Sequence, residues 1–179
     1  MHASVPGGVP LTTNHVFTAA YGGAAADAEF AAFYRDTAGS LGGYVYRLVG
    51  DAEVAADVVQ EAFVRLLTRW VTIRSPRPYL YHVATNLARD VWSERQRAER
   101  SMLSILGGRP RTAIDAVDLS VYDAVSRLPQ RYREIVLLHY YADLPIEDVA
   151  RTTRRPVGTV KRMLMEARER LARSLGGAS

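Results

Sequence analysis

An all-α chain of two small helical domains joined by a flexible linker is what this sequence predicts. Three observations carry the prediction. Apolar residues recur at three- and four-residue spacing through most of the chain, and no run alternates as a strand does. Breakers gather at Ser75–Pro76–Arg77–Pro78 and at Gly107–Gly108–Arg109–Pro110–Arg111–Thr112, the second being the best domain boundary. The 179 residues, 48% hydrophobic and 23% charged, hold apolar material for one core or two modest ones.

Residues 1–26, rich in Gly, Ala, Pro and Thr, read as a flexible tail with at most a helical turn near Val16–Tyr21. From Asp27 a first helix is expected, with Phe30, Phe33, Tyr34, Leu41, Tyr44, Val45, Leu48 and Val49 on its apolar side. Gly50–Asp51 ends it, and Asp51 is a good N-cap for the next helix. That second helix is the clearest: Val54, Val58, Ala62, Leu66 and Trp70 fall at strict four-residue steps. Ala55, Val59, Phe63 and Leu67 widen the stripe, and Glu53, Asp57, Gln60, Glu61, Arg65 and Arg69 take the other face. A third helix starts near Pro78, buries Leu80, Val83, Ala84, Leu87, Ala88 and Val91, and runs into the polar stretch Ser93–Arg100. Beyond the second breaker, Leu119, Tyr122, Val125 and Leu128 mark a short helix. Tyr132, Ile135, Val136 and Leu138 mark another, which stops at Asp143–Leu144–Pro145. Ile146–Ala150 is a short helix, and Pro156 opens the last, with Val157, Val160, Leu164, Ala167 and Leu171 on one side.

Composition excludes several functions. With no cysteine there is no disulfide framework, Cys nucleophile or thiolate zinc site. The four histidines, His2, His15, His82 and His139, show no metal-ligand spacing. No triad, Gly-rich phosphate loop or paired-carboxylate pocket stands out, so no enzyme activity, metal or cofactor is expected. The first Lys or Arg is Arg35, so residues 1–34 lack the charged start of an export signal, and no apolar run is long enough to span a bilayer. A cytoplasmic protein without membrane insertion is expected.

Charge is unevenly spread. Asp51, Glu53, Asp57 and Glu61 meet no base over 51–61. Eight arginines meet three acids over 65–100, and eight basic residues meet two acids over 151–173. Two basic regions and a sequence pI of about 9.6 suit a polyanionic partner. The short helix Ile146–Thr152, the polar turn Thr153–Arg155 and the helix from Pro156 make a helix-turn-helix pattern, whose second helix enters the major groove. At about 100° per residue, Arg162 lies opposite the apolar stripe. Gly158, Thr159, Met165 and Glu166 lie roughly 120–140° from it, with Lys161 and Met163 on the flanks. Gly158 and Thr159 allow close approach to a DNA backbone, and free N–H groups there suit a phosphate.

Three motifs then carry a resemblance. Asp57-Val-Val-Gln60-Glu61-Ala-Phe63 resembles the D-x-x-Q-E-x-F signature of bacterial sigma factors. Tyr79-Leu-Tyr-His-Val-Ala-Thr-Asn86-Leu-Ala-Arg-Asp90 resembles their promoter-melting helix. Pro156-Val-Gly-Thr-Val-Lys161, with Ala167-Arg-Glu-Arg-Leu171, is similar to their upstream-element reader. Order and spacing match the extracytoplasmic-function (ECF) class of the sigma-70 superfamily over about residues 27–175.

The resemblance implies a promoter-specificity subunit of RNA polymerase. Residues 27–100 would be sigma region 2, 101–118 a linker through the polymerase, and 119–176 region 4. Asp57, Gln60 and Glu61 would bind the clamp of the largest polymerase subunit, with Phe63 supporting them from the core. The loop Val71–Pro76 and the third helix would hold single-stranded −10 DNA. Asn86 would line the pocket of a flipped base, where an amide can both donate and accept. Arg89, Arg95 and Arg97 would track phosphates. Region 4 would contact the flap of the second-largest subunit and read the −35 element through Gly158, Thr159, Lys161, Arg162, Met165 and Glu166. An anti-sigma factor is a further candidate partner, since many members of the family have one.

This chain departs from the family where −35 reading is decided. Members usually carry Ser then Arg after the lysine, where Arg162 and Met163 stand here. They often carry an aromatic or His, then a base, where Met165 and Glu166 stand. Glu166 can only accept from a base, or it can pair with Arg162 or Arg170 and read nothing. Against the whole reading stands a helix-turn-helix regulator that binds duplex DNA alone. That alternative explains neither the acidic Asp57–Glu61 motif nor the basic third helix with Asn86. A helical adaptor would need no basic faces.

Overall fold

The computed structural model describes Gly23–Leu106 and Leu119–Gly176, and the described residues are helical without a strand. The expected turn at Val16–Tyr21 and breaker at Gly107–Thr112 lie outside them. Helix α1 (Gly23–Val49) opens inside the segment expected as tail. Gly23 takes φ +83°, and the alanines that follow are the best helix formers, so a stretch without amphipathic period still winds. Gly50, at φ +73°, ends α1 with its N–H on the Tyr46 carbonyl at 2.8 Å.

Helix α2 (Ala52–Leu67) starts at once. The Asp51 carboxylate accepts from the N–H groups of Glu53 and Val54, each at 3.1 Å, as an N-cap should. It buries Ala55, Val58, Ala62, Phe63 and Leu66. Trp70, the expected end of that stripe, sits in a 3-10 turn (Trp70–Thr72), its ring 5.2 Å from Phe30 and 5.3 Å from Phe33. Helix α3 (Pro76–Leu106) opens at Pro76 rather than near Pro78. A proline in first position lacks only an N–H that would have no partner there. It continues to Leu106, into the segment expected as linker.

These three helices close a bundle around Leu41, Tyr44, Leu66, Leu80 and Tyr81. Its centre holds a satisfied polar group: the Thr85 hydroxyl donates to the Tyr81 carbonyl at 2.6 Å and accepts from the Tyr44 hydroxyl at 2.8 Å. Burial pushes the Tyr44 phenol well up, so it stays a donor.

The second half comprises α4 (Leu119–Ser126), α5 (Gln130–Val136), α6 (Ile146–Thr153) and α7 (Val157–Gly176). Helix α5 runs on as a π segment over Leu137–Tyr141, where the Ala142 N–H reaches back five residues to the Leu137 carbonyl. Helix α6 ends with Arg154 in the left-handed region at φ 54° and the Arg155 N–H on the Ala150 carbonyl, a Schellman-type close. Pro156 then redirects the chain into α7, giving the expected helix-turn-helix. Val160, Met163, Leu164 and Ala167 are the buried side of α7.

Each half was expected to bury its own stripe. Instead their buried side chains form one cluster, from Leu41 and Leu80 through Ile135 to Val149 and Val160. Two bundles this small leave apolar surface uncovered, and covering it with each other removes it from water.

Candidate polymerase and promoter interfaces

On α2, residues Asp57, Gln60, Glu61 and Val64 follow at i, i+3, i+4 and i+7 and make one exposed stripe. Glu61 pairs with Arg65 at 2.7 Å, and both are about half exposed. Asp57 and Gln60 bond no side chain among the described residues. Beneath them Phe63 is buried against Phe30, Phe33 and Tyr34. Sequence reading missed two members of this patch: Val64 and Tyr34 are exposed apolar side chains, 50% and 46% accessible. Val64 could have been found, because it falls on the acidic stripe and off the core stripe. Exposed carboxylates around apolar side chains suit a basic protein surface with an apolar centre.

The −10 candidates behave differently. Asn86 and Arg89 lie on the face of α3 that meets the second half, and their groups are engaged within the chain. Arg89 forks onto the Glu134 carboxylate, Nε on Oε2 at 3.1 Å and Nη2 on Oε1. Its Nη1 approaches the Asn86 amide oxygen at 3.4 Å. The Asn86 amide nitrogen donates to His82 Nε2 at 3.0 Å. That assignment puts the His82 proton on Nδ1, which donates to the Thr152 carbonyl at 3.2 Å. Burial raises the Glu134 carboxyl, and Arg89 opposes that rise. Beside His82 an open cleft of about 600 Å³ is bordered by Arg69, Arg74 and Tyr79 from one half and Asp148 and Arg151 from the other. The loop Val71–Pro76, expected to hold bases, forms its rim.

Arg95 and Arg97 part company. Arg95 donates to the Val49 carbonyl and to the Asp51 carboxylate, each at 2.9 Å, and so ties the α1–α2 corner to α3. Arg97 is exposed. The Asp51 carboxyl is held below its usual range, first by the Val54 N–H, with Arg95 adding to it. A carboxyl lowered in the fold stabilises it above the unfolded value and loses that effect as pH falls through the folded one. Arg95→Ala is expected to lower the thermal midpoint and leave the salt dependence of promoter binding unchanged. A wild-type midpoint with a shallower salt slope would return Arg95 to the phosphates.

At the start of α7, Gly158, Lys161, Arg162 and Met165 are exposed and Thr159 is half-buried. Glu166 is turned to the protein: Tyr132 donates to its Oε2 at 2.5 Å, and Arg162 Nε stands 3.6 Å from its Oε1. Arg131 and Arg170 stack on the Tyr132 ring at 5.0 and 4.9 Å. Met163, one of the departures from the family pattern, is buried. Among the described residues no group of acids and histidines could hold a metal, and no helix is long and apolar enough to cross a membrane.

Comparison with known proteins follows this geometry. The Sigma-70 region 2 family model matches residues 33–98, and the Sigma-70, region 4 model matches 118–171. The chain is 32% identical over 162 residues to ECF RNA polymerase sigma factor SigL of Mycobacterium tuberculosis, covering 80% of this chain and 87% of that one. It is 28% identical over 149 residues to ECF RNA polymerase sigma factor SigW of Bacillus subtilis, covering 73% and 80%. Its fold is similar to the sigma factor RpoE from Bartonella quintana, solved in complex with the anti-sigma factor NepR. That match has a TM-score of 0.68 at 20% identity, over 83% of this chain and 97% of that one.

The chain therefore belongs to the sigma-70 family, as an ECF RNA polymerase sigma factor. It is a promoter-specificity subunit of RNA polymerase and acts in transcription initiation, with core polymerase and promoter DNA as its partners.

Proposed function

We propose that three surfaces divide this task. The α2 stripe of Asp57, Gln60 and Glu61, with Val64 and Tyr34, docks on the polymerase clamp. The α3 face of Asn86 and Arg89 takes single-stranded −10 DNA, with Arg97 on phosphate. The exposed start of α7, Gly158 to Met165, enters the major groove at the −35 element. The domains follow: a tail over 1–26, region 2 over 27–100, a linker over 101–118 and region 4 over 119–176. The chain itself carries out no catalysis, needs no cofactor and works in the cytoplasm; bond making belongs to the polymerase. An anti-sigma factor is a candidate partner, as the NepR complex of the similar fold supports.

The observation that carries this reading is the acidic α2 stripe: four exposed positions at helical spacing, two of them carboxylates, on a chain that is otherwise basic. A regulator binding duplex DNA alone has no use for it.

The −35 assignment is tested by selecting −35 sequences from a randomised promoter pool with holoenzyme. Arg162, 67% exposed at the side chain, is free to reach a guanine edge; Glu166 is held by Tyr132. Arg162→Ala is expected to cost about 1–3 kcal/mol and relax preference at one base pair. Glu166→Arg is expected to tighten binding overall without changing the preferred base. An unchanged preference for Arg162→Ala, with a salt slope lower by about one, would make Arg162 a phosphate contact. A preference altered at one position by Glu166→Arg would make Glu166 a reader.

A further inference from the structure

The contact between the two halves is built from specific groups. Glu134 of α5 holds Arg89, and the Thr152 carbonyl of α6 holds His82 and through it Asn86. Arg77 donates to the Ala142 carbonyl at 2.9 Å. The Arg47 guanidinium lies over two rings from the other half, 4.3 Å from Tyr141 and 5.7 Å from Tyr122. Glycine is needed beneath them: a Cβ on Gly43 would stand 2.0 Å from the Tyr141 hydroxyl and 3.1 Å from Arg47. The −35 side of α7 takes no part, and Lys161 and Arg162 stay exposed.

We infer that this packing is a self-inhibited form of the free chain. Glu134 occupies Arg89 as a DNA phosphate would, and Thr152, through His82, holds the Asn86 amide away from a base. The inference rests on the −10 roles proposed for Asn86 and Arg89. A carboxylate on Arg89 forms the same two-pronged, charge-assisted contact that a phosphate forms, so the two compete for one site. The lock can still be opened. Glu134 is stripped of water to reach Arg89, and the desolvation of a buried ion pair offsets most of its attraction. Opening returns both groups to water, and polymerase binding can supply the difference. In the closed form the chain offers duplex DNA its −35 helix alone, which keeps an idle sigma factor from capturing melted DNA without polymerase.

The test uses the full chain free of polymerase. The absence of native cysteine allows one dye at Asp36→Cys on α1 and one at Glu169→Cys on α7, both exposed. Two opening variants leave the DNA-contacting residues untouched. Glu134→Gln removes the charge that holds Arg89, and Gly43→Leu wedges Tyr141 and Arg47 out of the seam. The probe is a single-stranded oligonucleotide carrying the −10 element of a promoter mapped by run-off transcription.

If the wild type is open only a few per cent of the time, both variants are expected to lower energy transfer between the dyes. Both are also expected to tighten oligonucleotide binding about tenfold. Binding to a −35 duplex should stay as in wild type. Energy transfer and oligonucleotide affinity unchanged in both variants would overturn the inference. So would lowered transfer with unchanged affinity. In either case, an Asn86→Ala holoenzyme still defective in promoter melting leaves the −10 assignment standing and removes the lock alone. If that holoenzyme is also normal, both fall.

Discussion

Replacing Asp57 and Glu61 together by lysine is expected to abolish co-purification of the chain with core polymerase. Both side chains are exposed on α2, opposite the buried Val58–Ala62–Leu66 stripe, so the substitution leaves the core alone. The one intramolecular loss is the Glu61–Arg65 pair, a solvated i, i+4 contact worth about 0.3–0.5 kcal/mol. Across an interface the effect is much larger, since like charges brought together there cost several kcal/mol. The double variant should therefore keep a near-wild-type thermal midpoint and helical content while losing the polymerase. Undiminished co-purification would remove α2 from the docking surface.

Asn86→Ala is expected to spare polymerase binding and to impair open-complex formation on duplex promoters. A captured base would lose its amide partner, at roughly 1–3 kcal/mol, about five- to more than a hundredfold in occupancy. The structure adds an opposing effect, because Asn86 also bonds His82 and Arg89 in the closed chain and its removal loosens that packing. In the holoenzyme the chain is already held by polymerase, so the lost base contact dominates. Permanganate reactivity of the −10 region and run-off yield measure it. A pre-melted bubble template should restore part of the activity only, since capture stays weak after melting costs nothing. Wild-type open complexes on duplex DNA would make Asn86 a surface residue with a structural partner.

These outcomes separate what the sequence made legible from what it did not. Helix α2 was readable in full because its four-residue steps and Asp51 cap act locally. The helix-turn-helix was readable because Pro156 fixes where α7 begins. The start of α1 was not, since Gly23 and the alanines behind it carry no amphipathic signal, and propensity decided the outcome. Nor was the π segment, because spacing from Tyr132 to Leu138 continues as an ordinary helix while the ladder shifts beneath it.

Motif matching brought out Asn86 and Arg89 but not their partners. Glu134 and Thr152 stand 45 residues from Arg89 and 70 from His82, and no periodicity links such positions. Arg95 shows the same limit. Its basic neighbourhood pointed to phosphate, yet its bonds go to Val49 and Asp51 across the α1–α2 corner. Glu166 was open to two readings, and the hydroxyl of Tyr132, 34 residues away, turns it toward the protein.

The central claim is that this chain directs core polymerase to promoters rather than acting on DNA alone. Run-off transcription with purified core polymerase on genomic fragments tests it most directly. The account predicts discrete transcripts that depend on the chain, with start sites that share upstream −10 and −35 elements at constant spacing. No gain over core polymerase, together with tight sequence-specific binding of duplex DNA by the chain alone, would contradict it.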